Sequence, residues 1–221
     1  VCQENRVALA TGDTKVVERG RGDGIFLNTT GIGPVQPGID VYVGNACPGD
    51  SVLVTGTMGD HGIAVLSCRQ EMGITTTLKS DVASLWPMIE QLLQEVPSVR
   101  CLRDPTRGGL AAALCDIASA SRTGIRFSEQ AVPTQPQVNG VCELLGLDVL
   151  TVANEGKAVI VCAPEDEHRA LALLRKHPLG RGAAVIGTVV EEHPGMVVCL
   201  TRLGGERIVD MPSGENLPRI C

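Results

Sequence analysis

Short apolar and β-branched runs, parted by Gly, Asp and Pro, open the chain: RVALA at 6–10, then residues 14–18, 25–29 and IDVYV at 39–43. Runs of this length and pattern predict strands. PGD at 48–50 signals a turn, and SVLVTG (51–56) a strand that enters a glycine turn, GTMGDHG (56–62). The period then lengthens to that of a helix over about 61–72, with Ala64, Leu66 and Met72 among its apolar positions. In LWPMIEQLLQEV (85–96), Leu85, Met88, Ile89, Leu92, Leu93 and Val96 recur at helical spacing, and Pro87 suits a first turn. A VRCL strand, a loop RDPTRGG (103–109), a helix at 110–120 and a strand at 124–132 follow. After a weaker helix at 137–146 come a strand at 157–163 and a helix at 165–177, acidic at its start and basic at its end as its dipole favours. AAVIGTVVEE, MVVCLTRL and RIVDM close the pattern as strands, with a hairpin at Gly204-Gly205. Helices intermingled with hairpin signals predict an α+β fold with a mixed, largely antiparallel sheet and flanking helices, and not a doubly wound one.

Length changes this picture little: 221 residues allow one large domain or two small ones. The simplest division is a partial domain over 1–45, a complete one over 46–210 and a separate tail over 211–221. Val1 is not a start residue, so the sequence reads as the C-terminal portion of something longer. A net charge of −6 without a basic cluster removes the electrostatic footprint of a nucleic-acid binder. The sparse aromatics, Trp86, Tyr42, Phe26 and Phe127, give no base-stacking platform. No apolar run spans a bilayer and no leader is visible, which predicts a cytoplasmic protein with no membrane partner. The nine Cys form no CxxC pair, and eight of them read as small hydrophobes in a reducing compartment.

The ninth, Cys221, ends the tail MPSGENLPRIC (211–221). Pro212, Gly214 and Pro218 break regular structure there, predicting a mobile arm that carries a thiol at its tip. A sulfur nucleophile so placed can carry a covalent group between active sites.

Walker A, GxGxxG, HExxH and GxSxG patterns are absent from the sequence. Four polar and glycine-rich clusters remain. In TGDTKVV (11–17), Asp13 is a hard oxygen ligand suited to Mg²⁺ and Lys15 a point charge suited to phosphate, although alone the cluster reads as a polar turn. In GTMGDHG, the amides of Gly56, Gly59 and Gly62 before a helix could face an anion; equally, Asp60 and His61 could simply cap that helix. In RDPTRGG, Asp104 could bind Mg²⁺, Thr106 and the amides of Gly108 and Gly109 could hold phosphate, and Arg107 could neutralise it. The density of phosphate-compatible groups favours function there over a plain Asp-Pro cap. In ANEGK (153–157), Asn154 and Glu155 could orient a ligand or move a proton, or else form a turn with Lys157 solvated.

Taken in order, TGDTKVV, DGIFLNTTGIG (23–33), PGDSVLVTGTMGDHGIAVL (48–66), RDPTRGGLAAAL (103–114), NEGK (154–157) and PRIC (218–221) resemble the HypE family of hydrogenase-maturation proteins. That family lies within the superfamily of aminoimidazole ribonucleotide synthetase and selenophosphate synthetase. The resemblance covers nearly the whole chain. It implies a PurM-like two-domain architecture and an ATP- and Mg²⁺-dependent carbamoyl dehydratase that makes the cyanide ligands of the [NiFe]-hydrogenase iron. By resemblance, Cys221 receives a carbamoyl group from HypF, ATP activates the carboxamide oxygen, and loss of phosphate leaves a thiocyanate whose cyanide passes to iron on HypC–HypD. The resemblance makes Asp13 and Asp104 the metal candidates and places Thr106, Arg107 and Gly108, with Gly59, near the nucleotide. By the same resemblance Lys15 is a candidate for stabilising developing charge, and the hypothesis that goes with it has Glu155 remove the amide proton, helped in orientation by Asn154. It also implies a homodimer formed through the first domain. The family's N-terminal segment, with a glycine-rich stretch and further Asp ligands, is not among these residues. The competing readings are a selenophosphate synthetase-like or aminoimidazole ribonucleotide synthetase-like ATP-dependent enzyme, which gives PRIC no role, and a non-enzymatic carrier that presents Cys221 to partners.

Overall fold

The computed structural model describes residues 1–22, 24–69, 73–74 and 76–212. The chain falls into two units, residues 1–39 and 40–221. Residues 40–45, grouped by sequence with the first segment, belong with the second: the Tyr42 amide donates to Arg100 O at 3.0 Å, and Ala46 is buried in the main core.

No described residue of the first unit is in a strand, which corrects the expected strands at 6–10, 14–18 and 25–29. Its backbone bonds are local turns, such as Val7 N–H to Cys2 O and Ile39 N–H to Gln36 O. Residues 39–43 are no strand either; Val43–Asn45 is a 3-10 turn. The apolar pattern reported a preference for a pleated, half-buried surface, and a strand forms only where a partner takes its amides and carbonyls. Here Leu9, Val16, Ile25 and Leu27 are exposed.

Among the described residues of the second unit seven strands form one sheet: β1 (Ser51–Val54), β2 (Val99–Arg103), β3 (Gly124–Ser128), β4 (Val159–Cys162), β5 (Ala184–Val190), β6 (Val197–Leu200) and β7 (Glu206–Val209). Their order is β2-β4-β1-β5-β3-β6-β7. Every pairing is antiparallel except β3 with β6, so the sheet is mixed and largely antiparallel, as the hairpin signals predict. The Gly204-Gly205 hairpin joins β6 to β7, with Gly204 at a φ of 83° that a glycine adopts freely.

Among the described residues five helices flank the sheet: α1 (Asp60–Ser67), α2 (Trp86–Glu95), α3 (Gly109–Ser121), α4 (Pro136–Leu145) and α5 (Glu167–Lys176). Alternation along each strand sends residues to two faces. One face carries Val52, Val54, Ile125, Phe127, Val159 and Val161 and is covered by Leu110, Leu114 and Ile117 of α3. The other carries Leu53, Ile160 and Cys162 and is covered by Met88 and Leu92 of α2 with Leu173 and Leu174 of α5. Each fully buried Leu or Ile contributes about 1.5–3 kcal/mol relative to exposure. Helix α1 ends at Ser67, short of the expected end near 72; Met72 lies outside the described residues. A third cluster joins Ile63 and Leu66 of α1 to Val138 and Cys142 of α4 and to Val152. This packing sets the starts of α1 and α3 beside the stretch 149–157.

Candidate functional site

The glycine turn after β1 ends at Gly59, whose φ of 86° starts α1. A Cβ there would sit 2.7 Å from Val138 Cγ1, so glycine is required both for conformation and for space. The Gly59 amide donates to Asn154 Oδ1 at 2.7 Å. Asn154 Nδ2 donates to Pro105 O at 3.1 Å and to Val152 O at 3.0 Å, and the Asn154 amide donates to Pro105 O at 3.1 Å. This one fully buried side chain thus ties together GTMGDHG, RDPTRGG and ANEGK. Two expectations change as a result. Asn154 has both its amide donors and its oxygen engaged within the fold, so it orients the loops and not a ligand. Gly59 likewise has no free amide for a nucleotide, and the Gly62 amide is taken by Ala153 O at 3.0 Å.

The loop before α3 is closed differently. Arg103 Nε and Nη2 donate to Asp116 Oδ2 at 3.2 and 3.0 Å, and Nη1 donates to Asp104 Oδ1 at 2.5 Å. The hydrogen bonds to Asp116 hold the Arg103 guanidinium above its ordinary range, with Asp104 adding to the effect. The Thr106 hydroxyl donates to Asp104 Oδ2 at 3.1 Å. Gly108 and Gly109 both have positive φ, and the Gly109 amide folds back onto Thr106 O at 3.0 Å. Of the two glycine amides expected to meet phosphate, only that of Gly108 has no partner among the described residues. Arg107 is exposed beside it. Pro212 packs here too: its Cγ lies 3.5 Å from where a Gly108 Cβ would be. Pro212, the last described residue, therefore lies beside this loop. Cys221 lies outside the described residues.

The third part is built by the stretch between α1 and α2. Asp81 Oδ1 accepts the amides of Glu155 at 3.0 Å and Gly156 at 3.3 Å. A Cβ on Gly156 would come within 1.8 Å of Asp81 O, so the strand of chain at 81–83 crosses directly over the turn. Lys157 is not solvated, as the turn reading had it. Its side chain is 12% exposed, with Nζ 3.5 Å from Asp81 Oδ2 and 3.7 Å from Asp60 Oδ2. Asp60 Oδ2 also accepts from Thr57 Oγ1, and His61 Nδ1 meets Ser80 Oγ at 2.8 Å. Asp60 therefore faces inward to a cation instead of capping α1. The Glu155 side chain is half-buried, and its carboxylate has no hydrogen-bonding partner among the described residues. Asp81 has no motif around it; LKSDVASL (78–85) reads as an ordinary polar loop.

Residues 47–199 match the family described as AIR synthase related protein, C-terminal domain. The chain belongs to this family. Among its members the chain is similar to the carbamoyl dehydratase HypE of Cupriavidus necator, 52% identical over 219 residues, which are 99% of this chain and 62% of that protein. A HypE crystal structure in complex with ATP is 44% identical with a TM-score of 0.93, over 100% of this chain and 67% of the other. A HypE–HypF complex aligns with a TM-score of 0.90 at 44% identity, over 96% of this chain and 68% of the other. The chain thus spans somewhat less than two thirds of the curated relative's length. The motif resemblance to HypE and the PurM-like fold are both borne out.

Asp13 and Lys15 belong to the first unit, where both are exposed; Asp13 Oδ1 accepts the Thr14 amide at 2.8 Å. Among the described residues no three His, Cys, Asp or Glu side chains gather into a metal cage. A Mg²⁺ ion bound with a nucleotide needs only one or two carboxylates, its shell being filled by phosphate oxygens and water. Asp104, the candidate in the second unit, would exchange its Arg103 contact for such a cation. Among the described residues no helix is long and apolar enough to cross a membrane.

Proposed function

We propose that this chain carries out the ATP-dependent dehydration of a carbamoyl group held on the Cys221 thiol, giving a thiocyanate that donates cyanide to the iron of a [NiFe]-hydrogenase. The observation that carries the proposal is the 52% identity with a carbamoyl dehydratase HypE across 99% of the chain. The amide oxygen of S-carbamoyl-cysteine is a poor leaving group. Transfer of the γ-phosphoryl group to that oxygen, with loss of one N–H proton, makes it a good one. Release of phosphate with the second N–H proton leaves the C≡N on sulfur, so one carbamoyl and one ATP give one thiocyanate, ADP and phosphate.

In this scheme Arg107 and the Gly108 amide, with Thr106, bind the phosphates, and cationic charge there offsets the charge spread over the transferring group. Asp104, and in the first unit Asp13, are the residues that would hold Mg²⁺, whose charge would offset that of the phosphates. Lys15 stabilises developing charge. Glu155, whose carboxylate is unengaged, takes the amide proton. Asn154 fixes the loops that present these groups. The position of Pro212 beside Gly108 supports delivery of Cys221, nine residues further on, to the same loop. HypF is the proposed carbamoyl donor, in keeping with the HypE–HypF complex. HypC–HypD is the proposed acceptor, and the protein acts as a cytoplasmic homodimer.

Intact-protein mass spectrometry tests this. The chain joined to the N-terminal segment of a HypE relative is incubated with HypF, carbamoyl phosphate and ATP. A carbamoyl adduct should form on Cys221 and then lose water, only with ATP. Glu155→Gln should leave the adduct intact and slow its dehydration by about 100-fold, the usual contribution of a general base. A stable adduct that never dehydrates would reduce the protein to a carrier. Absence of any adduct would favour the small-molecule synthetase reading.

A further inference from the structure

We infer that Asp81 is a positioning residue for Glu155, acting through the backbone of the turn that carries it. The inference rests on the dehydratase reading above. Its warrant is geometric. Glu155 has no side-chain partner among the described residues, so the direction of its carboxylate is set by its backbone. That backbone is fixed from both sides. From within, the Asn154 side chain anchors the turn to Gly59, Pro105 and Val152. From above, a single carboxylate oxygen, Asp81 Oδ1, receives both the Glu155 and the Gly156 amides. The second oxygen lies 3.5 Å from Lys157 Nζ, so Asp81 also fixes the residue that ends the turn.

The close approach of Asp81 O to Gly156 shows that this clamp has no slack. Any Cβ at 156 would drive the 81–83 stretch off the turn, and the Asp81 carboxylate with it. The stretch is itself tethered, because Ser80 Oγ meets His61 Nδ1 on α1 and accepts the Val82 amide at 3.2 Å. Asp81 is charged, and its side chain is only 3% exposed, yet among the described residues it makes no hydrogen bond or ion pair with the phosphate loop. Charge-assisted bonds from a buried carboxylate to two consecutive amides are the kind of support that holds a reacting group within a fraction of an ångström. A displacement of about 1 Å at such a group can cost about 100-fold in rate. Nothing about Asp81 calls for it to meet substrate; its work is to aim Glu155.

The isosteric variant Asp81→Asn separates this role from folding. Its amide can offer oxygen to the two backbone amides or to Lys157 but not to both, and the NH₂ group then opposes a donor. In the extended chain described above, D81N should bind ATP and accept the carbamoyl group as the parent does. Its single-turnover dehydration should slow by about tenfold or more. The D81N/E155Q double variant should be no slower than E155Q, within about twofold, because a positioning residue has no effect once its client is gone. Dehydration by D81N at the parental rate overturns the inference, as does a D81N loss that multiplies in full onto that of E155Q. If the parent dehydrates normally in either case, the functional reading stands. A parent that never dehydrates its adduct overturns both. Hydrogen exchange on the unmutated chain needs no variant: the Glu155 and Gly156 amides should both be protected, and rapid exchange at both would remove the clamp.

Discussion

Replacing Asn154 by alanine strips the Gly59 amide of its acceptor and two buried carbonyls, Pro105 O and Val152 O, of a donor. Pro105 O keeps the backbone amide of residue 154, so two buried groups are left without a partner, each costing about 1–3 kcal/mol, and the variant should lose about 3–4 kcal/mol of stability. Denaturant titration of Asn154→Ala measures this directly, and an unchanged midpoint would refute the crosslink. Asn154→Asp should be no milder, since it sets carboxylate oxygens against the same two carbonyls. At this scale NEGK was legible as a polar cluster, but not the buried crosslink that Asn154 makes. Lys157 and Asp81 mark the limit more sharply. A lysine after Gly-rich sequence looks solvated, and an aspartate in LKSDVASL looks like loop, until the fold buries both against each other. Their meeting depends on partners 76 positions apart (157 − 81), which no local pattern encodes.

The helix starts are the elements on which the site turns. Helix α3 begins on Gly108 and Gly109, with φ of 76° and 62°, conformations that cost other residues about 1–2 kcal/mol. At Gly109 there is also no room: a Cβ would lie 2.6 Å from both Leu150 O and Val152 O. Gly109→Ala should therefore cost about 3 kcal/mol or more and displace the phosphate loop from Asn154. Thermal unfolding, with the weakened ATP affinity of the folded fraction, checks both effects; a fully stable variant would mean that α3 sits further from 150–152 than described. Helices α2 to α5 and all seven strands of the second unit were visible as periodicity, to within a few residues at their ends. The strands expected in residues 6–29 were not formed, because an apolar run specifies a preference for pleated surface but not the neighbour that must share its hydrogen bonds. The 3-10 turns at 129–131 and 164–166 shorten a predicted strand and delay a predicted helix for a related reason: their amides close locally before the next element begins.

Across the whole molecule, the buried thiols give the stability a pH dependence. Burial pushes Cys101 and Cys162 up to about 12, and Cys115 and Cys142 to about 11, from an ordinary 9.0. The folded chain therefore keeps protons that the unfolded chain releases. The stabilising contribution is intact below pH 9.0 and is lost progressively as pH rises towards about 11–12. Denaturation midpoints should be flat on this account up to pH 9 and fall beyond it, and Cys101→Val should lessen the fall. A midpoint that stays level to pH 11 would contradict the burial of these groups. The sequence by itself determined which segments of residues 46–210 are helical or extended, that the sheet is mostly antiparallel, and that the motifs belong to the HypE family. These follow from side-chain period, turn chemistry and short contiguous motifs, all properties of near neighbours. The tertiary structure decided which glycine amides remain available, which carboxylates face cations, and that a loop aspartate clamps the turn of the candidate base. Those outcomes depend on bonds such as Gly59 to Asn154 and Glu155 to Asp81, 95 and 74 positions apart. A buried donor must find its acceptor wherever the packing of the sheet and helices has placed one.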